Sequence, residues 1–176
     1  MGQLNAFLKS IMNYQEVEGD LIKLANLGRF DVIAHGCNCF CRMKRGIAPQ
    51  IAQAFGCDKF PLEDFNYTGD FNKLGQIDYQ AVTLAYGTDE ENITEFDLTV
   101  VNAYTQYQWG TELKPFDYDA FTLCMRKMNH VFAGKRIGLP QIGSHLAGGD
   151  WELIRPIIQK ELKDCEVTIV IYDGNQ

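Results

Sequence analysis

The sequence has no apolar run approaching the roughly 20 residues that a helix needs to cross a bilayer, which excludes a transmembrane helix. Its first residues, Met1-Gly2-Gln3-Leu4-Asn5-Ala6, carry neither the basic start nor the apolar core of a secretory signal. Ala6 also stands where a myristoylation signal requires Ser or Thr. The expectation is a soluble, cytoplasmic protein without a membrane partner. Positive charge is in short supply: 16 Lys and Arg stand against 23 Asp and Glu, a formal net charge of −7. The long-range field of such a chain repels phosphate, so non-specific nucleic acid binding is excluded and a phosphate-bearing ligand has to be held by short-range geometry. Neither a Gly-x-x-x-x-Gly-Lys-Ser/Thr loop nor a Gly-x-Gly-x-x-Gly fingerprint occurs.

What is present suits one domain: 176 residues with a 46% hydrophobic fraction, enough apolar surface for a core, and no composition break. Strand-like and helix-like segments alternate, the pattern of an α/β sandwich. Strands are expected at Tyr14–Val17, Asp31–His35, Gln76–Tyr86, Phe96–Tyr104, Lys135–Leu139 and Glu166–Tyr172. Helices are expected after Gly46, over Tyr118–Phe132 and over Trp151–Leu162, with Phe121, Met125, Met128 and Phe132 forming a core stripe. Asp150 suits an N-cap, and Pro156 either kinks the last helix or marks where its regular part starts. Cys57 to Gly75 reads as an irregular excursion, and residues 1–11, which precede Met12, as a possible extension to a domain over 12–176.

Six cysteines in a chain that needs no staples read as free thiols. The alternation His35, Cys37, Cys39, Cys41 contains a zinc-type ligand set, but zinc cysteines are normally spaced by two to four intervening residues rather than one. No metal and no cofactor is therefore expected. The aromatic run Tyr104 to Trp109 could stack bases, but no basic patch accompanies it.

Two segments, His35–Ala48 and Leu139–Trp151, each read as a strand, a glycine-bearing loop and a helix. Such junctions present unpaired backbone N–H groups and the positive end of a helix dipole, and two of them could grip a diphosphate.

Val17-Glu18-Gly19-Asp20-Leu21, Val32-Ile33-Ala34-His35-Gly36-Cys37-Asn38, Met43-Lys44-Arg45-Gly46-Ile47-Ala48 and Leu139-Pro140-Gln141-Ile142-Gly143-Ser144-His145-Leu146-Ala147-Gly148-Gly149-Asp150-Trp151 stand in that order. Together they resemble the motifs of the macro domain family, in particular its phage and microbial branch of ADP-ribose 1''-phosphate phosphatase-like proteins. The resemblance runs from about Met12 to Tyr172. It implies a three-layer α/β/α sandwich with a mixed central sheet, and ADP-ribose or a derivative bound at the strand ends. Asp20 would accept from the adenine amino group with Leu21 beside it, Tyr172 would flank the adenine, and Asn38 would hold the distal ribose. Gly46, Ile47 and Ala48 would line the first loop. Ile142, Gly143, Ser144, His145, Leu146, Ala147 and Gly148 would form the second. A phage origin would place the protein in the host cytoplasm.

The chain departs from the family pattern at Lys44 and His145, which stand where the loops usually carry glycine. These side chains could close the distal pocket or supply a cation and a titratable group. The expected activity is hydrolysis of ADP-ribose 1''-phosphate, with His35, Asn38 and His145 as candidate catalytic residues. The alternatives are an ADP-ribose-binding module without turnover, and a hydrolase that removes ADP-ribose from protein or nucleic acid.

Overall fold

A computed structural model describes residues 13–59, 69–87, 92–110 and 114–172. The six strands are β1 (Tyr14–Glu18), β2 (Val32–Asn38), β3 (Ile77–Tyr86), β4 (Thr94–Gln106), β5 (Arg136–Pro140) and β6 (Glu166–Ile171). They form one sheet in the order β1-β6-β5-β2-β4-β3. All neighbours run parallel except the β3–β4 pair. The helices are α1 (Leu21–Asn26), α2 (Ala48–Phe55), α3 (Tyr118–Val131) and α4 (Trp151–Glu161).

Strand alternation sorts the apolar side chains between two faces. Val32, Ala34, Val101, Ala103, Ile137, Leu139, Val167 and Ile169 pack under α3 and α4, where Phe121, Met125, Met128 and Phe132 form the expected stripe. Ile33, Leu98, Val100 and Val170 meet Leu21 and Ala25 of α1 and Ile51 and Phe55 of α2 on the other face. Because helices cover both faces, the central strands are buried on both sides and read as nearly continuous apolar runs. The architecture is the expected three-layer α/β/α sandwich with a mixed sheet.

The structure departs from the sequence reading in a few places. Helix α1 was not expected, and β4 runs two residues further at each end than Phe96–Tyr104. Pro156 lies inside α4, whose start is capped by Asp150. Within the expected excursion, Asp70 caps a short 3-10 turn at Phe71–Lys73. The possible extension over residues 1–11 lies outside the described residues. All six cysteines are unpaired, and five of them are buried. Among the described residues no helix is long and apolar enough to cross a membrane.

Two crossovers set the position of the site. From β2 the chain leaves over the α2 face toward β3 and β4, whereas from β5 it leaves over the α4 face toward β6. Neighbouring strands whose connections diverge leave a crevice at their carboxyl ends, the usual ligand position in an open α/β sheet.

Candidate functional site

That crevice is a cavity of about 740 Å³ lined from the carboxyl ends of all five parallel strands. Gly19 to Leu21 follow β1, Asn38 to Ala48 include much of the segment after β2, Trp109 and Gly110 follow β4, Gln141 to Gly143 and His145 to Ala147 follow β5, and Tyr172 follows β6.

The segment after β2 is open and cationic. Helix α2 starts at Ala48 with no side-chain cap on Ile47; Pro49 has no N–H and the Gln50 and Ile51 N–H groups donate to Ile47 O, which leaves the Ala48 N–H as the first-turn donor at the cavity wall. Gly46 takes the left-handed conformation with φ 63°, and a Cβ there would meet nothing nearer than Leu146 Cδ1 at 3.7 Å. The two loops thus approach each other across Gly46 and Leu146. Arg42, Lys44 and Arg45 all line the cavity, and among the described residues none has a carboxylate partner. In a chain of net charge −7 this wall is locally positive.

The segment after β5 is closed. Asp150 caps α4 through Oδ1, which accepts from Glu152 N at 2.9 Å. Gly143, at φ 80°, packs so closely on Phe116 that a Cβ would lie 2.3 Å from its Cε2. Packing, as much as ligand approach, therefore requires this glycine. Ile142, Gly143, His145, Leu146 and Ala147 line the cavity as expected from sequence, but Ser144 and Gly148 do not. Ser144 is directed into the loop, where its Oγ donates to Gln141 O at 2.8 Å. Gly148 packs against Lys114. With its one proton committed to Gln141, Ser144 Oγ can only accept from His145 Nδ1, 2.9 Å away. The neutral imidazole then carries its lone pair on Nε2, on a residue exposed at the cavity wall.

His35 is a correction to the sequence reading. It is wholly buried on the α1/α2 face and does not line the cavity. The odd positions of β2 turn toward that face with Ile33, and only the even ones, Gly36 and Asn38, reach the cavity wall. Its Nε2–H donates to Asn102 Oδ1 at 2.6 Å, and Asn102 Nδ2 donates in turn to Cys57 O at 2.9 Å. Burial lowers its pKa from 6.5 to about 4, partly opposed by the Asn102 bond. It is a neutral histidine that ties the central strands to the turn after α2. The same burial raises the Cys37 thiol well above its ordinary value and Cys57 to about 12, so neither is an activated nucleophile. Among the described residues no group of three His, Cys, Asp or Glu side chains is placed to hold a metal.

Asn38 lines the cavity, but its amide serves the loop: Oδ1 accepts from Phe40 N and Arg42 N, and Nδ2 donates to Arg42 O. Asp20 also has a local task, since Oδ1 accepts from Ile22 N and Lys23 N and caps α1; neither bond uses Oδ2. Leu21, Gly46, Ile47, Ala48 and Tyr172 line the cavity. Sequence reading missed Arg42, Arg45, Thr105 and Trp109 as wall residues. The aromatic run that ends at Trp109 was the available signal, but its basic companion is Arg42, brought over the indole ring at 4.2 Å from 67 positions earlier in the chain.

No family model matches the chain. Over 165 residues it is 32% identical to the uncharacterized 17.5 kDa protein from the tk–vs intergenic region of Enterobacteria phage T4, covering 89% of this chain and 95% of the relative. Among solved structures it is similar to a Bacteroides thetaiotaomicron protein of unknown function, with TM-score 0.59, 24% identity and 90% and 97% of the two chains covered. The macrodomain of Thermus aquaticus DarG superposes with TM-score 0.58 at 17% identity over 91% of this chain and 97% of the other. Thermosipho africanus DarTG in complex with ADP-ribose gives TM-score 0.61 at 17% identity, covering 91% of this chain and 41% of the other. These structural likenesses show that the chain has the macrodomain fold, and it belongs to the same family as its phage T4 relative.

Proposed function

We propose that the cavity binds ADP-ribose or a derivative, and that the protein hydrolyses ADP-ribose 1''-phosphate to ADP-ribose and inorganic phosphate. A volume of about 740 Å³ suits a dinucleotide-sized ligand, and the ADP-ribose complex of the Thermosipho africanus relative supports the ligand class. The adenine end belongs beside Asp20 and Leu21, where Oδ2, unused by the cap, accepts from the amino group and Tyr172 flanks the ring. The diphosphate belongs at the uncapped start of α2, where the Ala48 N–H and the helix dipole favour anions.

The observation that carries the hydrolytic reading is the Gln141–Ser144–His145 chain of hydrogen bonds, which leaves Nε2 of a cavity-lining imidazole as a base. In the proposed step, Nε2 takes a proton from water as the water oxygen attacks phosphorus. The bond from phosphorus to the 1'' oxygen breaks, and that oxygen leaves with a proton from solvent. Arg42, Lys44 and Arg45 balance charge on the phosphoryl oxygens. A second reading, binding without turnover, is favoured by the burial of His35 and by the commitment of the Asn38 amide to its own loop.

Phosphate release from ADP-ribose 1''-phosphate, with ADP-ribose calorimetry alongside, separates the two. Hydrolysis predicts release that falls by about 10²- to 10⁴-fold in His145→Ala, the usual worth of a general base, with ADP-ribose affinity retained. Binding without release by the unmodified protein selects the module instead.

A further inference from the structure

The turn that carries Arg42 is more constrained than a loop on the rim of a cavity needs to be. Cys41 holds a left-handed backbone at φ 53°, a conformation that a side chain makes costly. The turn is closed by Cys41 N to Asn38 O at 2.9 Å and gripped by all three Asn38 side-chain bonds, two of them to the backbone of Arg42 itself. The Arg42 guanidinium then lies over Trp109 at 4.2 Å. A cation fixed at both its backbone and its head has lost the freedom that normally weakens a surface arginine, and it is planar and permanently charged.

A second observation lies on the adjoining strand. Residues Cys37 and Asn38 of β2 pair with Tyr104 and Gln106 of β4, so Thr105 is the extra residue of a β-bulge opposite the start of this turn. Bulges of this kind re-aim a side chain. Thr105 lines the cavity, is 1% exposed, and its Oγ1 has no hydrogen-bond partner among the described residues. Among the described residues the other such atom is Trp151 Nε1, at the start of α4. A buried hydroxyl without a partner carries a desolvation cost that a ligand acceptor would relieve.

We infer that Arg42, held by Asn38 and Trp109, forms with Thr105 a second anion subsite that takes a terminal phosphomonoester and discriminates ADP-ribose bearing one from ADP-ribose itself. The inference rests on the proposed ADP-ribose reading and adds to it the group that sets substrate choice. Arg42 supplies planar N–H donors to the phosphomonoester oxygens, Thr105 supplies one hydroxyl donor, and Asn38 acts as a positioning residue.

Trp109 offers an optical readout, because its ring is both the support of Arg42 and part of the wall. Stopped-flow mixing of the whole protein with ADP-ribose or with ADP-ribose 1''-phosphate, following tryptophan emission at early times, measures both affinities before turnover. The unmodified protein is expected to bind the phosphorylated ligand about tenfold to a hundredfold more tightly, the range of charge-assisted hydrogen bonds. Arg42→Ala should bring the two affinities together by weakening only the phosphorylated ligand, and Arg42→Lys should restore part of the difference. Thr105→Val, which keeps the shape and removes the hydroxyl, should narrow the difference and provides the test should Arg42→Ala fail to fold. Equal affinities in the unmodified protein, or equal weakening of both ligands by Arg42→Ala and Thr105→Val, would overturn the subsite. Absence of binding by either ligand would instead overturn the ADP-ribose reading on which it stands.

Discussion

The loop between β2 and α2 leaves its helix uncapped and sets Arg42, Lys44 and Arg45 on the cavity wall, whereas the loop between β5 and α4 caps its helix with Asp150 and seats Gly143 on Phe116. Both are strand-to-helix connections at the carboxyl edge of the same sheet, and both carry a left-handed glycine. They differ in where their backbone groups are satisfied. The second loop settles its polar groups internally, with Gly149 N donating to Gly143 O and Ser144 Oγ to Gln141 O, and so serves as a rigid wall that presents one oriented imidazole. The first leaves the Ala48 N–H and its cations open to whatever occupies the cavity. Similar glycine spacing therefore conceals one loop built to be filled by the protein and another built to be filled by a ligand.

Substitutions can break this contrast. The largest effect on stability is expected for Gly143→Ala, which puts a Cβ 2.3 Å from Phe116 Cε2 on a backbone at φ 80°. Overpacking and left-handed strain together should cost about 3 kcal/mol, read as a lower urea midpoint. A protein as stable as the original would show that Phe116 yields freely and that the second loop is not the rigid one.

Nearly as large is the acid sensitivity of His35, which separates the core imidazole from the one at the cavity wall. Its folded-state pKa, about 4, lies below the ordinary value of 6.5, so the folded protein favours the neutral form. The corresponding stability is complete above pH 6.5 and is lost as the pH falls toward 4, because the unfolded chain binds the proton first. The loss should reach about 3 kcal/mol across that window. In urea titrations at several pH values, this part of the acid dependence should vanish in a folded His35→Gln protein and persist in His145→Ala. An acid dependence unchanged by His35→Gln would remove the histidine from the core network.

The smallest effect on stability sharpens the first loop. Gly46→Ala meets only Leu146 at 3.7 Å, so the cost is backbone strain of about 1 kcal/mol, while ADP-ribose affinity measured by calorimetry should fall. If affinity is unchanged and stability collapses, the two loops have exchanged roles.

Much of the architecture is legible in the sequence. Val32 to Ala34 and Ile169 to Tyr172 are short apolar runs bounded by polar residues, and the stripe through Phe121, Met125 and Met128 has helical period, so strand and helix types follow from local pattern. Helix α1 escaped because its six residues are too few to show a period, and Asp20, read for its adenine contact, proved to be the cap of that helix as well. Leu21, Gly46, Ile47, Ala48, Ile142 and Tyr172 lie at the cavity wall where the motifs placed them. His35 could not be assigned to a side from sequence, because alternation says only that His35 and Gly36 face opposite ways. Thr105 was illegible as a wall residue for a related reason: its placement depends on a bulge between strands far apart in sequence.

The sequence by itself determined the order of the six strands and the three longer helices, the net negative charge, the two glycine-bearing junctions and the family resemblance, since each is written in local periodicity, composition or contiguous motif. Only the tertiary structure decided which imidazole reaches the cavity, which loop is filled by protein, and how Arg42 comes to lie over Trp109. Those outcomes depend on strand register and on which face each helix covers. Register is set by the burial of the sheet as a whole, and a shift of one residue would have exchanged the places of His35 and Gly36.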